Sequence, residues 1–264
     1  MDNFLDYAVW LTINDLAEPW IAAVKSGAWR PAGREKQLEF GLKAIAPARA
    51  SEGVGKLSGT AGVPRDGAGP WIELIGAAGG AAELRQLFEP LLRGDFTEAA
   101  ALRALAALGD AARLRSVKPA GELGGLATLL SAPSGPRRVA ALQLTGTWKL
   151  AAFTPQLVSV AGDAAKPAAE RTAAFAALRE IGGRPVVAEL QKLAAGGGAL
   201  EVRREAAVTL AALELPSAVP HVIAVLKATT EDAAAQTLWR ALLGIRGVSA
   251  RLATELAKTE LPRT

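Results

Sequence analysis

Arg203-Arg204-Glu205-Ala206-Ala207-Val208-Thr209-Leu210-Ala211-Ala212-Leu213 is the stretch that decides the fold. Counted from Arg203, the apolar residues Ala206, Ala207, Leu210 and Leu213 stand at offsets 3, 4, 7 and 10, a single stripe on a helix of 3.6 residues per turn. The same phrase, Arg/Glu-x-x-Ala-apolar-x-x-Leu, begins at Glu98, Arg137, Arg171 and Glu231, giving steps of 39, 34, 32 and 28 residues. Ala174, Phe175, Leu178 and Ile181 fill the four offsets in the copy at Arg171, and Ala101, Leu102, Leu105 and Leu108 fill them in the copy at Glu98. Steps of this length match a repeat of two helices, each unable to bury its apolar face without a neighbour. The chain is therefore expected to be all-α, an α-solenoid of antiparallel helix hairpins.

The punctuation between helices supports this reading. Gly182-Gly183 precedes Arg184-Pro185, Pro216-Ser217 precedes Ala218, and Gly244 and Gly247 bracket Ile245-Arg246. Glycine suits the left-handed residue that closes a helix, and proline suits the first turn of the next. Val187, Leu190 and Leu193 then follow Leu178 by 9, 12 and 15 residues, and Val219, Val222 and Val225 follow Leu210 by the same distances. Paired alanines let helix backbones approach closely, while the leucine fills the space between one hairpin and the next.

Composition agrees: 50% of residues are hydrophobic but only 5% are aromatic, so alanine and leucine carry the burial. That suits helix-on-helix packing better than a sheet. One continuous solenoid over 1–264 is expected, with less regular hairpins over 1–57, a Gly/Pro loop over 58–70 and the repeats over 71–264. Phe4–Ile13 and Trp20–Val24 read as one helix pair, and Arg34–Ala46 and Ala48–Leu57 as another. Breaks at Lys118–Gly125 and Ala132–Pro136 account for the long first step. Both ends read as uncapped, with Phe4, Leu5, Tyr7, Trp10 and Leu11 at one and Leu261-Pro262-Arg263-Thr264 at the other, so a segment of a longer polypeptide is expected, with Met1 an added start. The first apolar stretch carries Asp2 and Asp6 and lacks a basic leader. No apolar run approaches the length of about 18 residues that spans a membrane.

Net charge is +4, with about −1 on residues 1–132 and +5 on 133–264. A basic surface at Arg137, Arg138, Arg203 and Arg204 is one candidate, although these arginines could instead pair with acids such as Glu170, Glu201 or Glu205. No Lys/Arg run interleaved with aromatics marks a nucleic-acid face, so nucleic acid is not the expected partner. Candidate chemistry is sparse. His221 is the one histidine, and cysteine is absent, which leaves no zinc site of the usual kind, no disulfide and no covalent haem attachment. Gly53-Val54-Gly55-Lys56 lacks the glycine and hydroxyl that a phosphate loop needs at Ala50 and Leu57. Gly76, Gly79 and Gly80 read as a helix stop, and Asp163, Glu231 and Asp232 as caps at helix starts. Trp10, Trp20 and Trp29 crowd the first thirty residues; with Phe4 and Tyr7 they form a candidate interdomain docking surface, since interfaces are enriched in Trp and Tyr.

Phe4-Leu5-Asp6-Tyr7-Ala8-Val9-Trp10-Leu11-Thr12 with Trp20, Val63-Pro64-Arg65-Asp66-Gly67 with Trp71-Ile72, and Gly146-Thr147-Trp148-Lys149-Leu150 together carry a resemblance. They resemble the HEAT-repeat region of large haem-binding proteins of Planctomycetes and Verrucomicrobia, often called membrane-bound dehydrogenases. The resemblance implies a parent that joins a sugar-dehydrogenase-like propeller, a HEAT solenoid and a c-type cytochrome domain with a Cys-x-x-Cys-His motif, and that is exported to the periplasm. Neither propeller nor haem motif is present in these residues, so no catalytic, cofactor or metal residue carries over. The expected role is a non-catalytic scaffold or protein-interaction module, with neighbouring protein domains as partners and haem held elsewhere in the parent. Two other readings remain. A HEAT-like DNA glycosylase would use Trp148 and Trp239 with Asp163 or Asp232, and a chromophore-lyase-like HEAT protein would clamp a tetrapyrrole-carrying partner.

Overall fold

A computed structural model describes residues 3–29, 33–45 and 63–257. Among these residues there are fifteen α-helices and no strand. The expected helix over Ala48–Leu57, the segment Gly53–Lys56, the start of the Gly/Pro loop and Leu261–Thr264 lie outside the described residues. The helices fall into two compact units, 1–141 and 142–264. The architecture is an all-α solenoid of helix hairpins.

In the first unit α1 (Asn3–Asp15), α2 (Ala17–Ser26) and α3 (Glu35–Ala44) precede the hairpin of α4 (Trp71–Ala78) and α5 (Ala81–Arg93). The long α6 (Glu98–Arg115) packs on both α4 and α5, and the short α7 (Leu126–Leu130) packs on α5. α8 (Pro136–Thr147) carries the boundary between the units. The second unit continues with α9 (Thr154–Gly162), α10 (Ala168–Ile181), α11 (Gly183–Ala195), α12 (Leu200–Leu213), α13 (Leu215–Ala228), α14 (Asp232–Leu243) and α15 (Val248–Leu256). Here α10, α12 and α14 line up as successive first helices, and α11, α13 and α15 as their partners.

The repeated stripe forms the core. Ala206, Ala207 and Leu210 are buried, as are Ala174, Phe175 and Leu178, and Leu238 in the last copy. Leu102 at offset 4 of the first copy is only half-buried, and Ala104 takes that place in the core. Val219, Val222 and Val225 are buried on α13, but on α11 the row shifts to Val186, Leu190 and Ala194, leaving Val187 and Leu193 half-buried. An apolar face wider than one row permits either set, and the neighbouring hairpin selects between them.

Turn chemistry follows the sequence in most places. Gly182 and Gly183 both take positive φ, at 62° and 85°, and Pro216 lies in the first turn of α13. Gly79 closes α4, and the Gly80 amide donates to Glu83 Oε2 at 2.8 Å as α5 opens. Gly76 corrects its expectation: it lies inside α4, where a Cβ would meet Ala107 Cβ at 2.7 Å. The caps need correction too. Asp163 follows the end of α9, its Oδ1 accepting from the Ala165 amide at 2.9 Å, and Glu231 precedes α14 without a side-chain cap bond. A carboxylate accepts equally well from an amide two residues on in a turn, so sequence does not separate the two uses.

Gly146 on α8 repeats the relation of Gly76 within the second unit. A Cβ there would lie 2.5 Å from Ala177 Cα and 3.2 Å from its carbonyl oxygen, so α8 and α10 approach at the limit set by glycine. Gly146→Ala gains about 1 kcal/mol of helix propensity but overpacks against backbone, which costs about 1–3 kcal/mol. Because the clash is with backbone, which cannot give way as the end of a side chain can, the cost falls at about 2–3 kcal/mol and a net loss of about 1–2 kcal/mol is expected in urea denaturation. Gly198→Ala, with open space around it, should change little; equal midpoints for the two variants would refute the close approach.

Candidate functional site

The first helices of the second unit carry a second stripe, on the side away from their buried alanines. On α12 it runs through Arg204, Glu205, Val208, Thr209 and Ala212, at i, i+1, i+4, i+5 and i+8. Thr172, Ala176 and Arg179 supply it on α10, and Ala233, Thr237 and Ala241 on α14. Three such stripes side by side form an open groove of about 770 Å³. Its floor is apolar, with Phe175, Val208, Leu238 and Ile245, and the alanines keep it open.

Charge is unevenly placed along it. Glu201 and Glu205 sit in the first turns of α12 and Glu231 just ahead of α14, while Arg179 lies in the last turn of α10. Behind the carboxylates Arg171 is buried, its side chain only 6% exposed. Its Nη1 donates to the carbonyls of Ala164 at 3.2 Å and Lys166 at 2.6 Å, and its Nη2 lies 3.1 Å from Glu201 and 4.0 Å from Glu205. The Thr172 hydroxyl donates to Glu205 Oε2 at 3.4 Å. Burial pushes the Glu205 carboxyl above the usual carboxylate range, against the opposing pull of Arg171 and Thr172. Its negative charge is thus incompletely compensated.

The sequence points to the core stripe of these helices and gives the groove stripe no separate signal. Its mark is available in retrospect: small or hydroxylated residues stand at offset 5 or 6 from the repeat start in all three copies, as Ala176, Thr209 and Thr237, and at offset 9 or 10 in two, as Ala212 and Ala241, where an outward face of a lone helix would carry longer polar residues.

A smaller hollow of about 390 Å³ lies in the first unit between α4 and α6. Arg103 grips Glu73 through two bonds of 2.7 Å and donates to the Gly67 carbonyl at 2.9 Å, and the Glu73 hydrogen bond raises its already high pKa. Arg115 donates to the Gly76 carbonyl at 2.7 Å, and burial lowers its pKa.

The aromatic residues near the start divide into two groups. Tyr7 and Trp10 stack on α1 with centroids 6.1 Å apart, and with Phe4, which is 85% exposed, they face outward. Trp20 and Trp29 are half-buried, meet edge to face at 5.6 Å, and line an apolar pocket of about 530 Å³ with Ile13, Leu16 and Phe40. Gly41 belongs to it, since a Cβ there would press into the Trp20 ring at 2.7 Å.

All four arginines of the candidate basic surface are half-buried. Arg137 pairs with Glu98, Arg138 lies 3.5 Å from the Ala132 carbonyl, and Arg203 donates to the Ala194 carbonyl at 3.3 Å. Arg204 borders the groove. Among the expected acid partners, Glu201 and Glu205 pair with Arg171 rather than with Arg203 or Arg204. Of the glycosylase candidates, Trp148 is 1% exposed and Trp239 half-buried on α14, while Asp163 and Asp232 lie at separate helix ends. His221 is half-buried on α13. Among the described residues no cluster of three or more His, Cys, Asp or Glu side chains could hold a metal ion, and no helix is long and apolar enough to cross a membrane.

Comparison with known proteins fits the helical geometry. The model of the PBS lyase HEAT-like repeat family matches residues 202–228, the hairpin of α12 and α13. No curated protein and no solved structure matches the chain. The chain thus contains a HEAT-repeat region, and the match falls on the helix that forms the middle of the groove.

Proposed function

We propose that this chain is a non-catalytic HEAT-repeat scaffold, a protein-interaction module that links a dehydrogenase-like propeller to a c-type haem domain within a larger protein. The observation that carries the interaction role is the groove over α10, α12 and α14, whose apolar floor and charged margin have the layout, apolar centre and polar rim, of a protein interface. The two neighbouring domains rest on the resemblance of the aromatic and Gly-Thr-Trp-Lys-Leu segments. The chain holds no cysteine, so covalent haem attachment belongs to the neighbouring domain. Sugar or alcohol oxidation would then be the parent's chemistry, with this solenoid setting the distance between oxidising and electron-accepting domains.

The test is the flanking reading frame, followed by titration calorimetry of this chain with each neighbouring domain. A propeller on one side, a Cys-x-x-Cys-His motif on the other, and measurable binding of at least one domain are expected. Stop codons on both sides would overturn the linking role.

The match to a PBS lyase HEAT-like repeat favours a second reading, a chromophore-lyase-like protein that clamps a tetrapyrrole-carrying partner. Tetrapyrrole absorbance in a complex purified with this chain would support it, and a colourless complex would dismiss it.

A further inference from the structure

The groove has a polarity that narrows what it can hold. Glu201, Glu205 and Glu231 stand at the end formed by the starts of α12 and α14, and Arg179 lies about 12 Å along α10 from Arg171, at eight residues of 1.5 Å rise. At that end Arg204, beside Glu205, and the buried Arg171 behind it supply two positive charges against the three carboxylates, while Arg179 lies toward the other end. Arg171 is committed first to Glu201 and cannot close further on Glu205, because its guanidinium is buried and bonded to two turn carbonyls. Glu205 is the carboxylate best placed to meet a ligand: its side chain is 30% exposed, it borders Val208 and Thr209, and its nearest cation lies 4.0 Å away.

We propose that this groove binds a segment of a partner protein that sets a Lys or Arg side chain on Glu205 and lays adjacent apolar side chains over Val208, Ala212, Ala241 and Ile245. The inference rests on the scaffold reading and adds to it the chemistry of the partner. A cation entering here would form a charge-assisted hydrogen bond in a partly desolvated site, where such bonds are stronger than at an open surface. Its aliphatic stem would cover the alanines of α12 and α14, as long basic side chains commonly do on apolar surfaces. An acidic segment would meet the carboxylate end unpaired and be rejected.

The experiment uses the full chain and three fluorescein-labelled peptides of one apolar sequence carrying Lys, norleucine or Glu at two fixed positions. Fluorescence anisotropy should show the Lys peptide binding at least tenfold more tightly than the Glu peptide, with the norleucine peptide between them. Glu205→Gln should lower affinity for the Lys peptide by about tenfold, the loss of one charge-assisted contact, and leave the norleucine peptide unaffected. Glu189→Gln removes one charge from α11, outside the groove lining, and should change neither. Circular dichroism melts establish that each variant is folded. Ala212→Trp fills the groove from an exposed position and should abolish binding of all three peptides. If Ala212→Trp blocks binding but Glu205→Gln does not, the groove holds partners and the cation assignment is overturned. If Ala212→Trp is without effect, or no peptide binds below about 1 mM, the groove is not a partner site and the proposal falls along with the interaction role assigned to it. Equal losses in Glu205→Gln and Glu189→Gln would reduce the effect to general charge and overturn it as well.

Discussion

Arg171→Met should lower the stability of the second unit by about 3 kcal/mol, far more than removal of any exposed cation. The guanidinium joins three parts of the structure. It begins the α10 stripe, holds the turn after α9 through the carbonyls of Ala164 and Lys166, and reaches Glu201 on α12. Methionine retains most of the aliphatic stem, so the loss isolates the charged head. Two turn carbonyls and Glu201 would be left to find water; Glu201 is 46% exposed and rehydrates readily, which keeps the cost at the lower end of the range for a broken buried pair. Lys192→Met is the comparison, because Lys192 pairs with Glu189 while 71% exposed and such pairs contribute about 0–1 kcal/mol. Urea denaturation measures both. Arg171→Met losing no more than Lys192→Met would show that the buried guanidinium does not organise the turn.

Arg171 also shows what could be read in the sequence and what could not. Its place at the head of a repeat is visible in the spacing, and so are the alanines and leucines behind it, because a helix converts period directly into a face. The hairpin turns at Gly182-Gly183 and Pro216 are equally legible, since positive φ and a fixed φ leave few choices of residue. Its partners were not legible. Glu201 and Glu205 are two among many acids, and only the stacking of α10 on α12 decides that they meet Arg171 rather than Arg203 or Arg204. The groove was hidden for a related reason. Thr172, Ala176, Val208 and Ala212 look unremarkable on separate helices, and become a surface only when three helices lie side by side. Gly76 failed differently: a glycine between apolar residues reads as a break, yet here it is the contact that lets Ala107 come close.

Trp148 supplies the second large effect, and it separates packing from recognition. It lies just beyond α8, 1% exposed and, among the described residues, the largest of the fully buried side chains. The segment around it is built to hold that position. The Leu150 amide donates to the Thr145 carbonyl at 3.0 Å and the Lys149 amide to that of Gly146 at 2.8 Å, with Lys149 at φ 54°, a Schellman closure that turns the chain immediately after the indole. Gly146 meanwhile lets α8 approach Ala177, which is half of the same close-packed arrangement. The Gly-Thr-Trp-Lys-Leu landmark therefore has a packing explanation at Gly146, Trp148 and Lys149. Trp148→Ala is expected to cost about 3–5 kcal/mol, the usual range when a large aromatic is removed from a core. Trp148→Phe retains a ring and should cost less. Trp239→Ala, at a half-buried position on α14, should fall below both in effect. Urea denaturation followed by far-UV circular dichroism avoids the overlapping signals of six tryptophans. A tryptophan held at the surface for stacking on a ligand would give the opposite order, with Trp148→Ala close to neutral in stability, and that result would return the residue to a recognition role.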